Sequence, residues 1–343
     1  MKIQILSTLG PASLSAEVIE QLDTAGVDLF RINLSHTRLE ALGQCIELVR
    51  SASAKPLCLD LEGAQVRCGV MAPGVVLRKG DPVRLTATPV DGTVGELSLW
   101  PRSVFAALRA GTLITIDFDG AQVRVREADE EHAEAVVVDG GRVRSHKGAV
   151  VDPAPVLPAL TDKARAAIAL CTANGVRHVA LSFASSADDV DLVRSLAPDA
   201  YVIAKIESGA GVRNMDGIID RSDAVLIDRG DLSREVPLEY VPFYQKAIAR
   251  RANRWSHPVY VATNLLESMV SNRNPTIAEA NDVANTLLDG VHGLVLAAET
   301  AIGVDPVGTV DMVLRVVAAF ERWNMSSLLD EDRPALAAVV SAP

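Results

Sequence analysis

Cysteines, aromatic side chains and long apolar runs are all scarce in this 343-residue chain, and each scarcity excludes something. The four cysteines, Cys45, Cys58, Cys68 and Cys171, lack the paired spacing of a metal site and read as free thiols of a reducing cytoplasm. No apolar stretch reaches the length of a membrane span, and Met1–Leu6 leads straight into a strand rather than a signal peptide. No basic tract stands out and the net charge is -11, which argues against a nucleic-acid partner. Anionic small molecules stay admissible, because a metal and a few arginines focused in one cleft can hold them. Neither a Walker A loop nor a G-x-G-x-x-G turn is present, so any nucleotide would lie in a cleft.

What is there is a βα rhythm. Met1–Leu6, Asp28–Leu34 and Lys55–Leu61 read as strands, separated by helices over Ser15–Ala25 and Leu39–Ser51, and Ser7–Ser13 reads as a loop. From about Val66 to Pro155 the rhythm gives way to short strands with turn residues, and Asp119-Gly120 and Asp139-Gly140 punctuate them as hairpins. After Leu160 helices and strands alternate again. Strands fall at His178–Phe183, Tyr201–Glu207, Ala224–Asp228, Pro258–Thr263 and Gly293–Ala297, with helices such as Gly211–Ile219 and Asp305–Arg322 between and after them. Eight βα units predict a (β/α)8 barrel over residues 1–65 and 156–325. A small all-β lid domain, 66–155, is inserted after strand three, and 326–343 forms a flexible tail.

The charges gather where such a barrel keeps its chemistry, at the carboxyl ends of the strands. Alternation puts Lys205 and Glu207 on one side, and the next strand ends in Asp228, Arg229, Gly230 and Asp231. Strand two contributes Arg31, Asn33 and Ser35, strand three Asp60 and Glu62 with Arg67 beyond, strand seven Thr263 and strand eight Glu299. Singly, each has a plain explanation: Asn33 and Ser35 cap a helix, Thr263 is β-branched filler, and the acids rim a sheet in salt bridges. Jointly these readings weaken, because burying many charges without a ligand costs several kcal/mol each. Glu207 and Asp231 suit Mg2+ or Mn2+, which takes one or two carboxylates and shares its other positions. Asp60, Asn33 and Ser35 supply oxygens for a monovalent cation. Arg31, Arg67 and Lys205 would face a phosphate or carboxylate, and the amides of Gly230 and Asp231 a carboxylate.

The segments STLGPAS (7–13), FRINLSH (30–36), AKIES (204–208), DRGDLSREVP (228–237), VATNLLESM (261–269), NPTIAEANDVAN (274–285) and AAETAIGVDPV (297–307) together resemble the pyruvate kinase family over nearly the whole chain. The resemblance implies a barrel with a β-rich domain inserted after strand three. It implies that phosphoryl transfer links phosphoenolpyruvate, pyruvate and a nucleoside diphosphate such as ADP. In that scheme Lys205, Arg31 and Thr263 serve the transfer, Arg31, Arg67, Gly230, Asp231 and Thr263 bind substrate, and Glu207 and Asp231 hold Mg2+. Asn33, Ser35 and Asp60 would hold K+, and Pro11, His36 and Lys147 lie where the family binds ADP. A homodimer through the barrel is implied too.

Three departures fall close to the chemistry. The family's DTKGPEIR reads DLEGAQVR here, which puts Glu62 in place of a lysine and Gln65 in place of a glutamate; ARGD reads DRGD, and SGET reads AAET. A carboxylate about 4 Å from another charge is worth roughly 4 kcal/mol at an effective dielectric near 20, enough to change what binds. Asp228 either enters the pocket as an added catalytic group or turns aside to pair with Arg229. The family's C-terminal regulatory domain is expected to be missing, with its allosteric control and one tetramer contact. Two other readings follow from the departures: a metal-dependent 2-oxo-acid aldolase or lyase working through an enolate, and a non-catalytic metabolite-binding homologue.

Overall fold

The computed structural model describes residues 2–63, 65–117 and 120–327. The chain divides into two compact units, one running to Glu62 and resuming at Asp162, the other spanning Gly63–Thr161.

The first unit is a closed barrel of eight parallel strands: β1 (Gln4–Leu9), β2 (Leu29–Asn33), β3 (Leu57–Asp60), β4 (His178–Leu181), β5 (Tyr201–Ile206), β6 (Ala224–Asp228), β7 (Val259–Ala262) and β8 (Gly293–Leu296). Each pairs with its neighbours in sequence, and β1 closes the ring on β8 through Gln4↔Gly293 to Ser7↔Leu296. The strands are apolar on both faces because helices cover the outside and side chains fill the inside. The inner fill is one cluster: Leu6, Leu29, Cys58, Ala180, Ile203, Ala224, Leu226, Tyr260, Ala262 and Val295. Side chains alternate, so on the first six strands the next inward residue, two places along, stands above this floor, within the strand or just past its end. Those residues are Thr8, Arg31, Asp60, Ser182, Lys205 and Asp228. The buried polar mouth is therefore the same period-two pattern continued past the apolar layer.

Several boundaries differ from the sequence reading. The first strand runs to Leu9, and Ser7–Leu9 are strand rather than loop, because β2 offers a pairing register out to Leu9↔Ile32. The helix expected over Gly211–Ile219 is two short ones, Gly209–Arg213 and Met215–Arg221. Ser208 caps the first by accepting from Gly211 N–H, and the chain breaks at Asn214, whose side chain donates to Ser185 O. The last helix extends over Pro306–Ser327, beyond Arg322 and into the segment read as tail; residues 328–343 lie outside the described residues.

The second unit holds a seven-stranded sheet and a two-stranded one around its own apolar core, which includes Leu77, Leu85, Leu97, Phe105, Ile114 and Val123. Its longest hairpin pairs Ala121–Ala128 with His132–Asp139. Asp139-Gly140 does not reverse the chain into a hairpin: the strand after it, Gly141–Arg142, crosses to pair with Val76–Leu77. A Cβ on Gly140 would come within 2.9 Å of Leu77 O, so close backbone approach explains that glycine. Asp119, the first residue of the other punctuating pair, lies outside the described residues.

Candidate active site

Lys205 is the centre of the mouth. It is the penultimate residue of β5, at an inward position, is buried, and its Nζ lies 3.0 Å from Glu207 Oε2, 3.3 Å from Asp228 Oδ2 and 3.6 Å from Asp60 Oδ1. It also donates to Ser182 Oγ at 3.1 Å. Burial works against the ammonium, but the carboxylates of Asp60, Glu207 and Asp228 outweigh it and raise the pKa well above the usual lysine value. Lys205 is thus a fixed positive charge and not a proton acceptor at neutral pH.

Arg31 is the second buried cation. Its Nη1 pairs with Asp60 Oδ2 at 2.7 Å and its Nε donates to Thr8 Oγ1 at 2.8 Å, while Thr8 in turn donates to Leu296 O. The two bonds fix the guanidinium plane and use only part of its five N–H groups.

The acids are not equivalent. Glu207 is 0% exposed; its Oε1 accepts from Phe183 N–H at 2.7 Å, while Oε2, though near Lys205 Nζ, has no partner in hydrogen-bond geometry. Burial, helped by the charges of Asp228, Asp231 and Asp60, pushes its pKa well above the carboxylate range, and Lys205 only partly offsets this. Asp228 is also buried, yet Lys205, then Arg31 and hydrogen bonds from Thr263 and Lys205, hold it below its ordinary value. Of the two acids beside one ammonium, Asp228 is the one whose charged form the surroundings favour, and Glu207 the one whose charged form burial opposes.

Asp228 therefore enters the pocket and does not turn aside to Arg229. Arg229 is engaged elsewhere: Nη1 pairs with Asp282 at 2.8 Å, and Nε and Nη2 donate to Thr263 O at 3.1 and 2.8 Å. Thr263 sits at φ +67 and Asn264 at φ +54, a left-handed turn that is costly for a β-branched residue. The turn aims Thr263 Oγ1 inward, 3.1 Å from Asp228 Oδ1 and 2.7 Å from Gly230 N, which donates to it. The Gly230 amide is thereby engaged within the chain. A Cβ on Gly230 would meet that hydroxyl at 3.2 Å.

The other residues singled out from sequence fall in different places. Asp231, in the first turn of the helix Arg229–Glu235, pairs with Arg234 at 3.2 Å. Asn33 Oδ1 accepts from Ser35 N–H, and Ser35, His36 and Pro11 are exposed at the rim. Asp60, assigned with Asn33 and Ser35 to a monovalent cation, has its oxygens directed at Arg31, Lys205 and Ser182. Glu299 is buried as a backbone holder, accepting from Ala297 N–H and Leu266 N–H. Glu62, the charge reversal after β3, lies 2.8 Å from Lys163 Nζ, which also donates to Leu34 O. Arg67 and Lys147 belong to the second unit, where Arg67 Nη1 donates to His146 O. Thr8, Ser182 and the Phe183 amide escaped the sequence reading; the alternation from Leu6 and Ala180 was the signal that pointed to the two side chains.

Among the described residues, Glu207, Asp228 and Asp231 form the one group whose ligand atoms, one oxygen from each, all lie within 4.8 Å of one another. Within the buried mouth three acids, Asp60, Glu207 and Asp228, face two cations, and Asp231 adds a fourth carboxylate beside them. A hard divalent ion fits that surplus of negative charge and the unsatisfied Glu207 oxygen.

Among the described residues no helix is long and apolar enough to cross a membrane. The profile described as "Pyruvate kinase, barrel domain" matches residues 1–310. A pyruvate kinase of Thermococcus litoralis is 37% identical over 336 residues, covering 95% of this chain and 71% of that protein. The pyruvate kinase of Methylorubrum extorquens is 37% identical over 330 residues, 94% of this chain and 69% of its own. That of Geobacillus stearothermophilus is 36% identical over 344 residues, 95% and 59%. A buried lysine ringed by carboxylates at the mouth of a (β/α)8 barrel, in a chain matched over this length, leaves one assignment: the protein belongs to the pyruvate kinase family.

Proposed function

We propose that the protein is a metal-dependent phosphotransferase that moves a phosphoryl group between phosphoenolpyruvate and a nucleoside diphosphate. The observation that carries this is the buried pair of cations, Lys205 and Arg31, held rigid by Asp60, Asp228 and Thr8 at the barrel mouth. The family membership does not favour the lyase or the non-catalytic reading.

Phosphoryl transfer asks for positioning and charge neutralisation more than for covalent help. The phosphorus leaves the enol oxygen for a terminal oxygen of the diphosphate, and the electron pair of the broken bond stays on the enol oxygen. Lys205 meets the charge on both, since its ammonium stays protonated throughout. Arg31, anchored through Nε and Nη1, directs the rest of its guanidinium at the phosphoryl oxygens. The resulting enolate takes a proton at its methylene carbon, and the Thr263 hydroxyl, the one aimed at the pocket by the turn at 263–264, relays it. Glu207 and Asp231 would hold Mg2+ or Mn2+, which when bound supplies Lewis-acid stabilisation of enolate and phosphoryl oxygens.

The same reading gives K+ to Asn33, Ser35 and Asp60, where it would share Asp60 with Arg31 and Lys205. It gives ADP or ATP to Pro11, His36 and Lys147, and makes the β-rich unit, residues 66–155, a lid carrying Arg67 to substrate. It places the protein in the cytoplasm, where the four buried free thiols stay reduced, and as a homodimer, checked by light scattering. The direct test couples pyruvate formation to lactate dehydrogenase with phosphoenolpyruvate, ADP, Mg2+ and K+. Turnover far above that of Lys205→Met is expected; equal rates in the two proteins would remove the proposal.

A further inference from the structure

The family's motif has alanine where this chain has Asp228, and the side chain does more than neutralise Lys205. Glu207, Asp228 and Asp231 each present an oxygen, and the three oxygens lie within 4.8 Å of one another. Ligand atoms around one octahedral Mg2+ or Mn2+ stand about 3–4 Å apart, so small side-chain adjustments suffice. Two of the three carboxylates are already oriented by a bond on their other oxygen. Phe183 N–H holds Glu207 Oε1, and the Thr263 hydroxyl lies against Asp228 Oδ1. That leaves Glu207 Oε2 and Asp228 Oδ2 on the same side, both facing Lys205 Nζ at 3.0 and 3.3 Å. Glu207 Oε2 is fully buried with no hydrogen-bond partner, a deficit that coordination to a cation would satisfy.

We propose that Asp228 is a third protein carboxylate on the divalent ion, beside Glu207 and Asp231, and that the ion is consequently held before any substrate arrives. The proposal rests on the reading that a divalent ion works at this mouth. A site with two carboxylates leans on substrate oxygens to complete its grip, whereas a third acid adds both a ligand and a negative charge. The order of binding follows: metal first, keto acid or phosphoenolpyruvate second.

The test uses the full chain and Mn2+ alone, with no substrate present. Electron paramagnetic resonance titration should show one tightly bound Mn2+ in the wild type, and Asp228→Ala should weaken it by about tenfold or more. Line broadening in 17O-water should show the bound ion gaining one water in that variant. Unchanged affinity overturns the proposal. So does weaker binding with an unchanged water count, which would make Asp228 a counter-ion of Lys205 and nothing more. Should Asp228→Ala fail to fold, the wild type with 13C-carboxyl aspartate decides: two coupled aspartate carboxyl groups are expected around Mn2+, and one would refute the idea. None of these measurements needs turnover. A protein that binds Mn2+ in this way yet makes no pyruvate would sink the kinase reading and leave the metal site standing.

Discussion

Arg229 holds Thr263 in a left-handed turn, with Nε and Nη2 at 3.1 and 2.8 Å from its carbonyl oxygen and φ at +67. A β-branched residue in that region costs about 1–3 kcal/mol, which the guanidinium and its Asp282 partner offset. The strain is what points the hydroxyl at Asp228 and the pocket. Arg229→Lys, which cannot fork across the carbonyls of Thr263 and Asn264 and the carboxylate of Asp282, should lower the melting temperature by several degrees and cut kcat by about tenfold. Thr263→Ser should keep kcat within a few-fold of wild type, and Thr263→Val should lose most of it. Equal kcat for the serine and valine variants would show that the hydroxyl is idle.

Lys205 neutralises three acids at once, so its removal strands buried charge. Lys205→Met should abolish turnover and cost about 3–5 kcal/mol of stability, the usual penalty for breaking a buried pair. Asp228→Ala added to it should recover part of that stability and none of the activity. Urea denaturation of the two variants checks this; an equal midpoint for both would mean the charges are not coupled.

Glu207 makes the metal-free fold lose stability as pH rises above the ordinary glutamate range. Its folded pKa lies above its unfolded one, so between the two values the folded chain binds more protons and stability falls as pH rises. Below the ordinary carboxylate range the group contributes nothing, since both states are protonated. Asp228 works in the opposite sense, its contribution being present above the unfolded pKa and lost as pH falls through the lowered folded one. With a chelator present, Glu207→Gln should flatten the decline above the ordinary glutamate range. Identical slopes for variant and wild type would remove Glu207 as its cause. Mn2+ should also bind more tightly as pH rises, releasing protons, which calorimetry in two buffers measures.

Glu62 brings its own neutraliser. Lys163 pairs with it at 2.8 Å, the side chains being 21% and 32% exposed, and the same ammonium ties down Leu34 O beside Asn33 and Ser35. Lys163→Met should cost about 1 kcal/mol, a modest figure because solvent reaches the pair. Glu62→Gln in the same chain should return part of it. A double-mutant cycle with no coupling energy would show the pair to be incidental.

Much of the barrel was legible because buried parallel strands announce themselves as short apolar runs at regular spacing, as in Tyr201–Ile206 and Ala224–Asp228. The charges at their ends were legible for the same reason, because they stand out at the ends of otherwise apolar runs. Strand one was read too short because Ser7 and Thr8 look like loop; only pairing to β2 and β8 makes them strand. Asp139-Gly140 looked like a hairpin turn, and only the edge offered by Val76–Leu77 diverts the chain.

By itself the amino-acid order determined the eightfold alternation, the inserted β-rich segment and the roster of charged residues at the strand ends, since period and composition are local properties. Tertiary structure alone decided which of those charges meet. Whether Asp228 faces Lys205 or Arg229, whether Glu62 meets Lys163, and whether Asp60 reaches Arg31 and Lys205 depend on strands and helices distant in sequence. Ion pairing acts over a few ångströms, and only closure of the barrel brings residues 31, 60, 205 and 228 within that range.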